Sequence, residues 1–368
     1  MTTSTPPKVF IVGGTGAQGR PTIHSLVKDN AYAVRVLTRD TKASHAQSLK
    51  ELGDHVELME GTFADEATLH AGFRGCTYAF VNIDGFKTGE KTELFWAIRA
   101  YEIAIEEGIK FFVYGNVDYA YKKGGYDPKY RCGHYDGKGR IGEWILQQTK
   151  DNGGEMGAAL FTTEPYLEMS IADMTIMTPT VKDGVVAWRL PLGEGAVPHV
   201  ALEDCDVYVR WLLDKQDRAN GMDLEVAIDH IHYADFAKAF EKLTGHPAKY
   251  VDTSLEEYWA TGPLARVADR PCGYNSKGEA GSLTIRENFT GFWNVWKYSG
   301  GNKGVVRRDY GLLDEIHPER IRSAEEWLGR EQDRGLNAGL GNLWNRVNNL
   351  KPVLKGTEDM LSGKTGKL

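Results

Sequence analysis

In the stretch 134–145, HYDGKGRIGEWI, an imidazole, a phenol and an ammonium group stand close together: Lys138 follows His134 by four residues and Tyr135 by three. On a helix the i, i+4 spacing puts His134 and Lys138 on one face, with Tyr135 turned by about 100°. Such a set can move a proton beside a fixed cation. Imidazole has an unperturbed pKa near ~6.5, and a positioned acid or base is worth ~10²- to 10⁴-fold in rate. His134 can equally be a residue that fills space.

A second set of residues points to a ligand. Val9 to Arg20, VFIVGGTGAQGR, is an apolar run that opens into glycines at Gly13, Gly16 and Gly19. A buried parallel strand followed by a helix whose amides face a phosphate requires this pattern. Gly13 makes the turn, Gly16 admits a pyrophosphate, and Gly19 lets helix and strand pack. Thr15, Ala17 and Gln18, which fill the turn, belong to the same binding set. About 20 residues on, where the adenosine ribose of a dinucleotide falls, the chain reads Leu37, Thr38, Arg39, Asp40. Arg39 offers a planar fork for a 2′-phosphate, with Lys42 as a second cation, whereas a carboxylate there selects a free 2′-hydroxyl. Arg39 makes NADP(H) the expected cofactor; a one-residue shift bringing Asp40 to the ribose would make it NAD(H).

The elements around these residues alternate. Strands are expected at Val9–Val12, Ala33–Leu37, His55–Met59, Tyr78–Asn82 and Lys110–Tyr114, with helices near 18–29, 41–52, 65–73, 90–107 and 137–151. In the helix at 90–107, Leu94, Ile98, Tyr101 and Ile105 mark the expected buried face. This order is that of a doubly wound parallel α/β sheet of Rossmann type. Residues 1–155 are read as the dinucleotide-binding domain and 156–330 as a sixth strand plus a smaller α/β substrate region. The segment 331–368 is read as a docking helix followed by a disordered Gly/Lys-rich end. Short strands at 158–162 and 185–189 and helices near 203–214 and 233–244 fall in the second part. The run IRENFTGFWNVWKYS at 285–299 places Phe289, Phe292, Trp293, Trp296 and Tyr298 at largely helical spacing, the pattern of a core stripe.

Composition narrows the function. The 368 residues carry a net charge of −7 and no basic stripe, against direct binding of nucleic acid. No apolar run approaches membrane-spanning length and MTTSTPPK is not a leader, so a soluble, cytoplasmic protein is expected. Cys76, Cys132, Cys205 and Cys272 have neither disulfide-framework nor metal-site spacing. His230 and His232 lie two apart without a third ligand, and ordinary packing is the expected role.

Taken together, GGTGAQGR at 13–20, VLTR at 36–39, HYDGKGRIGEWI at 134–145, EPYLEM at 164–169 and LLDEIHPERIRSAEEWL at 312–328 resemble the NmrA-like branch of the atypical short-chain dehydrogenase/reductases. The resemblance spans most of residues 8–330. It implies a Rossmann fold with a small C-terminal substrate domain and an NADP(H) preference. It also implies that Lys138 anchors the nicotinamide ribose and that Tyr166, Leu167 and Glu168 line the nicotinamide end. By the same resemblance Asn82, Ile83 and Asp84 run past the pyrophosphate and ribose, and Thr62 and Phe63 lie near the adenine. Two departures stand out. His134 holds the place of the usual proton-carrying tyrosine, and Gly115 has no hydroxyl where a serine usually polarises a carbonyl, leaving Tyr114 or Asn116 to substitute.

Three functions follow as expectations. One is hydride transfer between NADP(H) and a hydrophobic small molecule of specialised metabolism, with His134 or Tyr135 exchanging the proton. Its pocket would be walled by aromatics such as Phe86, Trp96, Tyr166, Trp293 and Trp296. Another is an NADP(H) sensor that acts on a partner protein. The third is redox-neutral chemistry that retains the cofactor. A homodimer is compatible with each.

Overall fold

The computed structural model describes residues 6–151, 153–273 and 282–361, apart from the side chains of Phe86, Glu358, Met360 and Leu361. The Gly/Lys-rich end at 362–368 and the Phe86 side chain, both singled out above, lie outside the described residues.

The first part runs β1 (Lys8–Val12), α1 (Gly19–Val27), β2 (Ala33–Thr38), α2 (Ser44–Lys50), β3 (Val56–Glu60), α3 (Glu66–Phe73) and β4 (Tyr78–Val81). It continues with α4 (Gly85–Thr88), α5 (Glu90–Glu106), β5 (Phe111–Asn116), α6 (Ala120–Lys123), α7 (Gly133–Asp151) and β6 (Gly157–Thr162). After β6 come β7 (Thr180–Lys182), β8 (Val185–Leu190), β9 (Val197–His199), α8 (Cys205–Asp214), α9 (Gln216–Ala219), β10 (Asp223–Glu225) and β11 (Asp229–Ile231). The remainder is α10 (Tyr233–Thr244), β12 (Ala248–Asp252), α11 (Leu255–Thr261), α12 (Ile285–Lys297), α13 (Tyr310–Ile316), α14 (Ala324–Asn337), α15 (Leu343–Val347) and α16 (Lys355–Leu361).

Seven strands form a parallel sheet in the order β10-β6-β5-β4-β1-β2-β3. Alternate residues of each strand enter opposite cores, as the two-residue period requires. Val9, Ile11, Val34, Val36, Phe80, Val113 and Phe161 face α1 and α8. Phe10, Val12, Ala79, Val81, Phe112 and Leu160 face α3, α5 and α7. Burial on both faces explains why these strands read as continuous apolar runs. The strand order reverses between β1 and β4, so the crevice beyond their carboxyl ends is the switch point at which open α/β sheets bind ligands.

Two helices differ from expectation. The buried residues of α5 are Glu93, Ala97, Ala100 and Ala104 with Tyr101 and Ile103, while Leu94, Ile98 and Ile105 are only partly covered. Small side chains lie innermost because α5 runs close beside α7. Helix α7 begins at Gly133, four residues before the expected start, and so contains His134 and Tyr135. Its internal glycines are sites of close approach: a Cβ on Gly139 would lie 2.3 Å from Tyr119 Cβ, and one on Gly142 2.8 Å from Leu160 Cδ1.

A separate core gathers Trp188, Phe236, Phe240, Trp293, Trp296 and Trp327, with β12, β8 and β7 forming a small sheet beside it. Leu343 and Val347 of α15 close this core, and Trp344 stacks on His246 with ring centroids 3.8 Å apart.

Candidate cofactor and proton-transfer site

The glycine turn is built on backbone demands. Gly13 has φ +82°, and a Cβ there would lie 2.4 Å from the Asn82 carbonyl oxygen. At Gly19 a Cβ would come within 2.4 Å of the Gly13 oxygen and 2.5 Å of Gly14 Cα. Gly16 differs, since among the described residues its Cβ would meet the Gly13 oxygen alone, at 3.2 Å. Packing within the chain therefore asks little of Gly16, and its lack of a side chain suits an approach from the crevice. Among the described residues no side chain caps α1, and its first turn carries no acid, which suits an anion. Ala17 is buried. Thr15 is buried too, and its hydroxyl oxygen takes a hydrogen bond from the Lys355 ammonium. Gln18 joins the turn to two strand ends: its Oε1 accepts from Asn82 Nδ2 at 2.7 Å and its Nε2 donates to Thr163 Oγ1 at 3.1 Å. The spacing analysis passed over Gly14, whose Cβ would lie 2.7 Å from Val36 Cγ1.

Arg39 emerges at the end of β2, and its Nη2 lies 2.5 Å from Asp359 Oδ2 of α16. Asp40 folds back instead, accepting the Lys42 amide at 2.9 Å, while Lys42 itself is exposed. The chain after β3 runs alongside, because the Gly61 amide donates to the Thr38 carbonyl at 2.9 Å. That brings Thr62 and Phe63 to the same edge: Thr62 Oγ1 accepts the Ala64 amide at 3.1 Å, and Phe63 packs on the core beneath α3 and α5.

At the centre of the crevice the Lys138 ammonium donates to the carbonyls of Ile83 (2.7 Å) and Gly115 (3.0 Å) and lies 3.4 Å from Asn82 Oδ1. It also pairs with Glu93 Oε1 at 2.7 Å. Glu93 is fully buried, and burial pushes its carboxyl up from the ordinary value against the opposing pull of Lys138. Sequence reasoning missed this residue, although 93, 97, 100 and 104 repeat at helical spacing. Tyr114, one of the two suggested substitutes for the missing serine, donates to the same carboxylate at 3.3 Å. The other, Asn116, donates to Thr162 Oγ1 at 2.9 Å. Both side chains thus bond within the protein interior.

His134 and Tyr135 point to different surroundings. Asn288 of α12, also missed, sets the imidazole. The Gly133 amide donates to Asn288 Oδ1 at 2.8 Å, which fixes the orientation of the side-chain amide. Asn288 Nδ2 then donates to His134 Nδ1 at 2.9 Å, leaving the imidazole proton on Nε2. Phe289 and Phe292 lie against the ring at centroid distances of 5.5 and 6.5 Å, and Cys132 Sγ is 3.4 Å from Nδ1. Burial, joined by the charge of Lys138 and partly offset by Asn288, lowers the His134 pKa to about 4, so the ring is neutral at pH 7. The Tyr135 hydroxyl donates to Glu164 Oε2, inside a buried network in which Arg308 Nη2 pairs with Asp118 Oδ2 at 2.6 Å. Burial and the neighbouring carboxyl drive the Tyr135 phenol well above its ordinary value.

The remaining candidates are scattered. Tyr166 is half-buried and bridges to Val200. Leu167 lies wholly within the second core. Glu168 is buried, accepts the Leu202 amide at 3.0 Å, and is pushed up to about 8 by burial. Asp84 caps α4 by accepting the Lys87 amide at 3.2 Å. Trp293 and Trp296 are fully buried core residues, and Trp96 packs edge-on to Phe95 on α5, so these three do not form one wall. His230 bonds the Tyr310 hydroxyl and the Val306 carbonyl, and His232 caps α10. The four cysteines are unbridged, and among the described residues no His, Cys, Asp and Glu cluster could hold a metal ion.

The chain belongs to the NmrA-like family, whose sequence pattern matches residues 5–267. It is similar to the NmrA-like family domain-containing oxidoreductase himF of Aspergillus japonicus, at 25% identity over 325 residues, covering 76% of this chain and 96% of the relative. The corresponding oxidoreductase hkm9 of Aspergillus hancockii is 26% identical over 285 residues, covering 75% and 84%. Among solved structures, NmrA, a negative transcriptional regulator in complex with NADP, superposes with a TM-score of 0.62 at 15% identity, covering 93% of this chain and 99% of that one. The Escherichia coli NADPH-dependent quinone oxidoreductase QOR2 with NADPH gives 0.63 at 17% identity, covering 88% and 99%. Among the described residues no helix is long and apolar enough to cross a membrane.

Two predictions follow from this geometry. Glu93→Ala strands the Lys138 ammonium in a buried site and is expected to destabilise the fold by ~3–5 kcal/mol, read from denaturant midpoints, with Glu93→Gln milder. Glu168 is an acid whose folded pKa is raised, so its contribution is fully present below about 4.5 and is lost as pH rises through about 8. Glu168→Gln is therefore expected to flatten the fall in stability across that window; an unchanged slope in thermal melts would show the carboxyl to be ionised in the fold.

Proposed function

We propose that the protein is an NADP(H)-dependent oxidoreductase acting on a hydrophobic small molecule of specialised metabolism. The observation that carries the reading is the placing of three groups along one crevice at the switch point. They are Arg39 at the end of β2, the glycine turn after β1, and Lys138 between the ends of β4 and β5. The residues fit the dinucleotide: Gly16 leaves room for a pyrophosphate, Arg39 matches a 2′-phosphate, and Lys138, on exchanging one of its interior partners for a ribose hydroxyl, would hold the far end. When bound, the nicotinamide supplies the hydride. The oxidoreductase names of the fungal relatives, and the NADP and NADPH named with the structural neighbours, support the same cofactor and reaction class.

In this reading residues 1–155 bind the cofactor and 156–330 supply the substrate side, with Asn288, Phe289 and Phe292 enclosing His134. A neutral imidazole at this position suits hydrogen bonding to a developing oxyanion, with no imidazolium required. Tyr135 has a structural role, because its hydroxyl faces Glu164. A sensor reading draws support from the loss of tyrosine at 134 and of a hydroxyl at Gly115, and from the regulator NmrA among the neighbours.

Two measurements test the proposal. Arg39→Ala should weaken NADPH binding by about tenfold or more while changing NADH little, since hydrogen bonds to charged groups contribute ~1.5–3 kcal/mol. Single-turnover mixing of the NADPH complex with hydrophobic quinones and ketones should bleach the reduced-nicotinamide absorbance, with no pH step near the ordinary histidine value. Tight NADPH binding without bleaching by any of them, together with capture of a stoichiometric protein partner, favours the sensor.

A further inference from the structure

The last described helix lies on the crevice just assigned to the dinucleotide. Lys355 and Asp359 are four residues apart, one turn of α16, and so share a face. From that face the Lys355 ammonium bonds Thr15 Oγ1 in the glycine turn, and Asp359 Oδ2 lies 2.5 Å from Arg39 Nη2 at the end of β2. Between them Gly356 is pressed on α4: a Cβ there would lie 2.3 Å from Lys87 Cε. Thr357 is buried, and the chain leading into the helix is pinned where the Asp173 amide donates to the Lys351 carbonyl at 3.0 Å. Two separate parts of the crevice, Arg39 and Thr15, are thus touched by one short helix 320 and 340 residues away in sequence.

We propose that α16 is a built-in competitor for the dinucleotide, with Asp359 presenting to Arg39 an anion in place of a 2′-phosphate. The proposal rests on the reading of Arg39 given above. A carboxylate and a phosphate monoester make the same kind of bonds to a guanidinium, and both cannot occupy the fork at once. Asp359 is therefore a specificity-determining residue: NADP(H) must displace its carboxylate from Arg39, whereas NAD(H) has no group that needs the fork. Lys355, on the glycine turn, opposes both dinucleotides alike.

The test uses the full chain, the variant Asp359→Asn, and a chain ending at Leu350, each titrated with NADPH and with NADH. One partly exposed ion pair is worth up to ~1 kcal/mol, so Asp359→Asn should tighten NADPH by up to roughly fivefold and NADH by less. The shortened chain should tighten both. Hydrogen exchange on the unaltered protein gives a second reading: amides 355–361 should exchange faster once NADP⁺ is added. NADPH affinity unchanged or weakened by Asp359→Asn, or protection of 355–361 by NADP⁺, overturns the competitor and leaves the dinucleotide site standing. Failure of all three proteins to bind NADPH overturns the dinucleotide reading and the competitor with it.

Discussion

The architecture of the crevice depends on keeping one positive charge out of water. Lys138 is brought to the ends of β4 and β5 by α7, and an ammonium in such a place requires several acceptors and an opposite charge. The Ile83 and Gly115 carbonyls provide the acceptors and Glu93 the charge, so two strands and two helices meet at a single nitrogen. Gly137 of α7 and the alanines of α5 serve the same end. A Cβ on Gly137 would lie 3.3 Å from Glu90 Cγ and 3.4 Å from Glu93 Oε2, so a larger side chain there would crowd Glu93.

Around that point the two sides of the site have different origins. The dinucleotide side is a product of regular secondary structure: glycines placed by the turn, a guanidinium placed by a strand end, Gln18 tying the turn to Asn82 and Thr163. The side bearing His134 is assembled from the second core. Asn288 and the two phenylalanines come from α12, on the same buried face that carries Trp293 and Trp296 into that core. The imidazole therefore sits between two packed bodies, kept neutral chiefly by burial between them, with the charge held in one adding to the same effect.

Much of this was legible in the sequence, and what was not has a common cause. The parallel sheet was readable because burial on both faces leaves continuous apolar runs, and the glycine turn because its backbone demands fall at fixed spacing. Arg39 was singled out by its distance from the glycine turn at a strand end, and Lys138 by the resemblance to the NmrA-like branch. Glu93 was not: on a helix with many acids, one carboxylate in line with alanines looks like a residue of the wet face. Ranking Leu94, Ile98 and Ile105 as the buried stripe followed side-chain size, whereas helix proximity favoured alanine. Asn288 lies 154 residues from His134, and Asp359 320 from Arg39, so neither pairing leaves a local trace. The early start of α7 escaped notice because glycines that permit close packing look, in one dimension, like helix breakers.

The network beneath Tyr135 has a consequence for the order in which the molecule assembles. Arg308 reaches Asp118 across 190 residues, and both are fully enclosed. Closing so long a loop carries an entropic cost that nearby contacts do not, and burying Asp118 and Glu164 before the guanidinium arrives would leave Asp118 with Lys123 alone and Glu164 without its counter-charge. The loop after β5 and the floor under Tyr135 must then stay hydrated while the sheet forms, and dry only when the segment carrying Arg308 docks. The pocket beside the sheet is therefore completed by a contact that spans 190 residues, and contacts of such separation form slowly.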